Sequence, residues 1–306
     1  MRFIKYQGIG NDFLIVDARS TQERPDMIAL ARALSVVDAK STVRIREICD
    51  RRLGVGADGI LLISPPQSPD ANATMTVRNA DGSSAQMCGN GIRCVAKYLW
   101  QQVPPATGGG RHTYKIDTAR GLLRVVVSSD GKAIEVDMGA PTLSPGSLPM
   151  TATDFQSFIA QPLNSPLNSP NESNDRRFTA VSMGNPHIIH FVDDKTLSLE
   201  SMARRLGPVL EHHPMFPERT NVEFARIEGQ RIQLAVWERG SGMTAACGTG
   251  ACATAVAACL EDRMDVGREM DVELPGGTLT IRVATDYSTV SMTGPAQRVF
   301  TGDILW

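Results

Sequence analysis

Histidine is scarce in this chain, five in 306 residues, and no two of its six cysteines form a C-x-x-C pair. A zinc site needs clustered thiolates and imidazoles, so no metal is expected. Neither sign of charge predominates: 31 basic and 33 acidic residues leave a net charge of −2. No global field then recruits nucleic acid or an anionic membrane, and no run of basic residues supplies a local one. No apolar stretch approaches the length that spans a bilayer. The first residues, Met1 to Gly8, enter a strand-like stretch with neither an apolar leader core nor Arg/Ser-rich transit character. A targeting segment is therefore not expected. The cysteines (Cys49, Cys88, Cys94, Cys247, Cys252 and Cys259) are even in number. A chain of this length nevertheless buries enough surface to fold without disulfides. The reading is a reducing, cytoplasmic protein.

What the chain does have is an internal repeat. Gly10-Asn11 and Gly184-Asn185 each open a strand that ends Val-Asp. The strands ending at Asn79 and Glu238 each stop nine residues before a cysteine, Cys88 and Cys247. Those cysteines open Cys88-Gly89-Asn90-Gly91 and Cys247-Gly248-Thr249-Gly250, and each segment runs into a helical pattern. Similar strands follow, Gly121–Val127 and Gly277–Val283. A long-period repeat reports repeated architecture. The expected class is α+β: two pseudo-symmetric lobes, each a mainly antiparallel sheet wrapped around a central helix, with the active site in the cleft between them. The lobes are expected at 1–137, with 293–306 returning to the first, and at 138–292. A second helix per lobe is expected over Thr42–Arg52 and over Leu199–Leu206, the latter stopped by Gly207-Pro208. Asp130-Gly131 marks a hairpin turn. The polar stretch Gln161–Asp175 reads as a surface insertion, and Pro104–Gly110 as a flexible connection.

A thiol at a helix start sits where unpaired backbone N–H groups and the helix dipole favour thiolate. The same N–H groups can hold a carboxylate. Two such units facing one cleft would set one substrate carboxylate between two thiols, which suits moving a proton from one face of a carbon to the other. A lone cysteine beside glycine usually packs in a core; packing alone does not ask for cysteine at the same place in both repeats. Cys49, Cys94, Cys252 and Cys259 lie within helical stretches and read as core residues. His112, His212 and His213 read as surface.

Together, Gly8–Phe13, Arg78–Ser83, Met87–Arg93, Ser182–His187, Phe216–Asn221, Glu238–Gly240, Ala246–Gly250 and Pro275–Gly277 resemble the diaminopimelate epimerase family over nearly the whole chain. The resemblance implies an epimerase that needs no pyridoxal phosphate or other cofactor. Its substrate would be a small molecule, LL-diaminopimelate, inverted to the meso form for lysine and peptidoglycan synthesis. It implies Cys88 and Cys247 as acid/base thiols, with His187 and Glu238 tuning their proton affinity. Asn11, Asn79, Asn185, Asn221, Glu238 and Arg239 would line the substrate, and the N–H groups of Gly89, Asn90, Gly248 and Thr249 would bind its carboxylate. A homodimer is compatible with this reading, and the sequence leaves the oligomeric state open. Three positions depart from the pattern: Gly59 where some members place a substrate-contacting Gln, and Gln86 and Met243 where many carry Glu.

Three other readings stay open. One is a related two-cysteine racemase of histidine or proline type, against which Arg239 with Asn79 and Asn221 argues, since that set needs a distal acid to bind. The others are a non-catalytic binding protein of the same fold and a redox pair.

Overall fold

The computed structural model describes residues 2–19, 34, 36–102, 110–151, 156–163 and 176–304. Most of the expected insertion (164–175) and of the Pro/Gly connection (104–109) lies outside the described residues. The chain divides into two compact units, Met1–Asp137 with Thr293–Trp306, and Met138–Met292.

In chain order the first unit runs β1 (Arg2–Gly8), β2 (Asn11–Asp17), α1 (Ala39–Cys49), β3 (Gly59–Ser64), β4 (Ala73–Asn79), β5 (Ser84–Ala85), α2 (Gly89–Gln102), β6 (His112–Thr118), β7 (Gly121–Val127) and β8 (Ile134–Asp137). The second runs β9 (Gln161–Pro162), β10 (Arg177–Ser182), β11 (Pro186–Phe191), α3 (Leu199–Glu211), β12 (Asn221–Glu228), β13 (Arg231–Glu238), β14 (Gly242–Met243), α4 (Gly248–Leu260), β15 (Glu269–Leu274), β16 (Gly277–Val283) and the first three residues of β17 (Val290–Gly294). Strand β18 (Gln297–Asp303) returns to pair antiparallel with β1.

The repeat extends to strand pairing. Antiparallel hairpins β1–β2, β3–β4 and β6–β7 answer to β10–β11, β12–β13 and β15–β16. Parallel pairs occur wherever a helix intervenes: β2–β3 and β4–β6 in the first unit, β11–β12 and β13–β15 in the second. A parallel return needs a crossover long enough to travel the length of a strand, and α1, α2, α3 and α4 each supply one.

Helices α2 and α4 lie inside their sheets. Helix α2 packs on β1, β2, β3, β4, β7, β8 and β18, and α4 on β10 to β13, β15 and β16. Eleven of the thirteen residues of α4 are buried, all of them Gly, Ala, Thr, Cys or Val. A helix enclosed on all sides has no solvent stripe to make polar. Cys94, Cys252 and Cys259 are buried within these two helices. The outer helices cover the opposite faces. Helix α3 packs on β12, β13 and β14, closing a core of Phe158, Phe178, Leu206, Phe216 and Phe224. Helix α1 packs on β3, over Leu14, Ile45, Cys49 and Ile60.

Two helix boundaries differ from the sequence reading. Helix α1 begins earlier, because Asp38 and Ser41 form a reciprocal capping box. It ends at Cys49, where Asp50 Oδ1 accepts the N–H groups of Arg52 and Leu53, both at 2.7 Å, and turns the chain. Helix α3 runs straight through Gly207-Pro208 to Glu211. Gly207 is there for close packing: a Cβ would stand 2.4 Å from Cγ of Trp237.

Candidate active site

Each cysteine begins its buried helix in the same way. Cys88 accepts the Ile92 N–H on its carbonyl at 2.9 Å and the Gly91 N–H on Sγ at 3.3 Å. Cys247 accepts the Ala251 N–H at 3.0 Å and the Gly250 N–H on Sγ at 3.3 Å. Both are therefore N-caps whose sulfur takes a first-turn amide, a role ordinarily filled by Ser, Thr, Asp or Asn. An amide donor aimed at sulfur, at the positive end of a helix, favours thiolate over thiol.

In the first unit the turn before β2 places Asn11. Ile9 and Gly10 both adopt positive φ, 48° and 86°, the pair of left-handed residues that a two-residue hairpin turn needs. Asn11 Nδ2 donates to Asp58 Oδ2 at 2.8 Å, while its Oδ1 accepts from Asn90 Nδ2 at 3.2 Å and lies 4.0 Å from Cys88 Sγ. Behind Asn11 stands a charged cluster. Asp12 pairs with Lys5 at 2.7 Å and Arg51 at 2.6 Å, and Arg51 also reaches Asp58 at 2.7 Å. Arg93, fully buried, holds Asn90 from the other side at 2.8 Å.

In the second unit Asn185 occupies the matching place. Its Nδ2 donates to Thr249 Oγ1 at 3.3 Å, and its Oδ1 meets His187 Nε2 at 3.1 Å. His187 is fully buried, and its Nδ1 meets Glu223 Oε1 at 2.6 Å. Thr249 Oγ1 lies 3.6 Å from Cys247 Sγ. Glu238 hydrogen-bonds with Cys247 and with the Thr244 hydroxyl. Burial raises the Cys247 thiol well above its ordinary value; the Glu238 and Glu223 charges add to this, and the Thr249 and Gly250 hydrogen bonds oppose it. Burial likewise pushes up the carboxyls of Glu238 and Glu223. A neutral carboxyl beside a thiolate can donate to it.

Comparison with known proteins bears on this arrangement. The family model of diaminopimelate epimerase matches residues 3–144 and 179–299. The chain belongs to the diaminopimelate epimerase family. A diaminopimelate epimerase of Synechococcus sp. (strain JA-3-3Ab) is 44% identical over 99% of this chain and 97% of its own. Diaminopimelate epimerase 1 of Nostoc sp. (strain PCC 7120) is 41% identical over 99% of both chains. Among solved structures, a probable proline racemase from Agrobacterium radiobacter K84 with bound carbonate superposes with a TM-score of 0.69. It shares 15% identity and covers 99% of this chain and 92% of its own. A hydroxyproline epimerase from Agrobacterium vitis gives 0.65 at 16% identity, covering 99% and 90%. At such identities the structures are alike in fold.

Against the family pattern, Asn79 is tied to its own turn, donating to Ser83 Oγ at 2.9 Å. Asn221 is buried and clamps two strand ends, donating to Pro186 O at 2.8 Å and accepting the Arg239 N–H at 2.9 Å. Arg239 is exposed, one guanidinium N–H on Glu218 O at 3.0 Å. At the departures, a side chain on Gly59 would meet Arg78 O at 2.5 Å. The strand is thus built around glycine there, with no room for Gln. Met243 pairs opposite Trp237 and packs on the second unit's core, and Gln86 is exposed.

The sequence reading missed Asp58, Arg51 and Glu223. For Glu223 the signal lies in strand pairing and not in the local sequence pattern. Strand register equates Gly59-Ile60-Leu61 with Asn221-Val222-Glu223 and Phe13 with His187. A carboxylate thus takes the place of a buried leucine.

Proposed function

We propose that this chain interconverts LL-2,6-diaminopimelate and meso-diaminopimelate by two-base proton transfer, with Cys88 and Cys247 as the acid/base pair and no cofactor. The observation that carries the reading is the duplicated cap: in both repeats a cysteine opens a buried helix and takes that helix's third-residue N–H on sulfur. Relatives over 40% identical along nearly the full chain carry the same name.

The α-hydrogen of an amino acid is a very weak acid, so the carbanion must be stabilised by its surroundings. First-turn N–H groups of Gly89, Asn90, Gly248 and Thr249 supply positive potential to the α-carboxylate as charge grows on it. One thiolate removes the proton while the other cysteine, as thiol, delivers one to the opposite face. The two exchange roles in the reverse direction. Asn11 and Asn185 stand at the two strand starts beside the thiols, and His187 and Glu238 adjust the second one. Arg239, with Asn79 and Asn221, receives the distal amino-acid group, where a guanidinium grips a carboxylate with two hydrogen bonds.

The enzyme acts on this small molecule in lysine and peptidoglycan-precursor synthesis. We place it in the cytoplasm, alone or as a homodimer; its six reduced cysteines suit that compartment. No helix among the described residues is long and apolar enough to cross a membrane.

The test is incubation of purified protein with LL-diaminopimelate in deuterated water. The expected result is meso product carrying deuterium at the inverted carbon. Absence of both inversion and exchange, or higher activity on proline or histidine, overturns the reading.

A further inference from the structure

Beneath the two cysteines the repeat is not symmetric. In the first unit the buried residues Phe13 and Leu61 occupy the places that His187 and Glu223 take in the second. The cap glycines report the same substitution. A Cβ on Gly91 would meet Leu61 Cδ2 at 3.0 Å, and one on Gly250 would meet Glu223 Oε1 at 2.9 Å. An ionisable pair thus lies under Cys247 and a hydrocarbon pair under Cys88.

The pair begins a hydrogen-bonded chain to sulfur: Glu223 Oε1 to His187 Nδ1, His187 Nε2 to Asn185 Oδ1, Asn185 Nδ2 to Thr249 Oγ1, and Thr249 Oγ1 to Cys247 Sγ. A carbonyl oxygen only accepts, so Nε2 bears a hydrogen in this arrangement. Thr249 receives the amide on its lone pair, which leaves its own hydrogen for the sulfur.

The sense of the chain is decided at the Glu223 end. With two hydrogens on the pair, one bridges Oε1 and Nδ1 and the other sits on Nε2; the pair is neutral. With one, Nδ1–H faces a carboxylate and Nε2 carries a lone pair. The Asn185 amide must then turn over, and Thr249 donates to Asn185 instead of sulfur. That second state leaves a net negative charge in a fully buried place, where Glu223 Oε2 has no hydrogen-bond partner. Burial disfavours it.

We propose that Glu223 is a positioning residue that, through His187 and Asn185, turns the Thr249 hydroxyl to donate to Cys247. The first unit works the other way. Asp58 accepts the Asn11 amide hydrogen, so Asn11 turns its carbonyl to Cys88. Beyond the amide N–H that each sulfur accepts, Cys88 faces the Asn11 carbonyl, whereas Cys247 faces the Thr249 hydroxyl and Glu238, which makes the two half-sites inequivalent. This inference rests on the proposed epimerase reading only in taking Cys247 as a reacting group.

The experiment compares wild type with Glu223→Leu, which copies the first repeat, and Glu223→Gln, whose amide can still donate to Nδ1. The first readout is the ¹⁵N spectrum of the His187 ring in unliganded protein, assigned by its loss in His187→Gln. The second is kcat and KM on diaminopimelate. Wild type and Glu223→Gln are expected to carry a hydrogen on Nε2, and Glu223→Leu a mixture of tautomers. In Glu223→Leu kcat should fall about a hundredfold, the scale of a misplaced reacting group, with KM little changed; Glu223→Gln should recover most of that loss. An unprotonated Nε2 in wild type overturns the proposal. So does wild-type kcat in Glu223→Leu, or Glu223→Gln losing as much as Glu223→Leu while its tautomer stays native. The ring spectrum needs no substrate, so inactivity of the wild-type protein on diaminopimelate would count against the epimerase reading alone.

Discussion

Glu223 Oε1 stands 2.9 Å from the point where a Cβ on Gly250 would lie. Glycine at this cap position is what lets a buried carboxylate reach the first turn of the helix that Cys247 opens. The same Cβ would sit 3.2 Å from Cys247 Sγ. Gly250→Ala should therefore displace both groups, costing about 1–3 kcal/mol of stability as overpacking does and lowering turnover further. Gly91→Ala also meets its cysteine, Cys88 Sγ at 3.4 Å, but has a leucine methyl at 3.0 Å in place of the carboxylate, and its loss of turnover should be smaller. Thermal melts with parallel rate measurements check this; equal losses of turnover in the two variants would contradict it.

The six cysteines should separate into two classes. Cys88→Ala and Cys247→Ala are each expected to abolish epimerisation with the fold intact by circular dichroism. Cys94→Ala and Cys252→Ala remove one buried atom each, at about 1 kcal/mol, and should leave activity in place. Cys88→Ala retaining more than about a tenth of turnover, a barrier change below roughly 1.4 kcal/mol, would contradict the assignment.

Asp12 should make stability acid-sensitive. Burial raises its carboxyl, but hydrogen bonds from Arg51 and Lys5 outweigh that and bring it to about 2, from an ordinary 3.8. A carboxyl depressed in the folded state contributes stability that is complete above its unfolded value and lost as pH falls through its folded one. The window therefore runs from about pH 4 down to about pH 2. Melting temperature against pH should fall less steeply there for Asp12→Asn than for wild type. Parallel curves would show that the Lys5–Asp12–Arg51 cluster does not store this energy.

Gly207→Ala tests packing against propensity. In an exposed helix the change favours folding by about 1 kcal/mol. Here the added methyl meets the Trp237 ring at 2.4 Å, so a net loss of about 1–3 kcal/mol is expected by denaturant titration. A stabilised variant would mean that Trp237 moves aside freely.

Arg239→Ala should weaken transition-state binding of diaminopimelate by about 2–5 kcal/mol, because a distal carboxylate would lose its partner. The readout is kcat/KM on diaminopimelate beside an analogue lacking the distal acid. An equal loss on both would place Arg239 away from the distal group.

Features that depend on near neighbours were legible in the sequence. The duplicated Cys-Gly starts, the Gly-Asn strand openings and the alternating strands are local patterns, and the local backbone realises them as caps, turns and strands. Gly207-Pro208 misled because a stop signal and a close-packing glycine look identical in one dimension; only Trp237, thirty positions on, tells them apart. Glu223 stayed hidden for a related reason. In the run Asn221-Val222-Glu223-Phe224 it alternates with apolar residues and reads as the solvent side of a half-buried strand. Tertiary structure puts α3 on β12 and encloses α4 in the same sheet, so β12 is buried from Asn221 through Arg226. A polar residue inside such a strand must find a partner or remain neutral, and His187 is the partner the fold brings to it. The sequence by itself determined that each repeat would open its inner helix with a cysteine. What lies beneath each sulfur, hydrocarbon or an ionisable pair, was decided only by strand register, because the contacts that set it join residues dozens of positions apart.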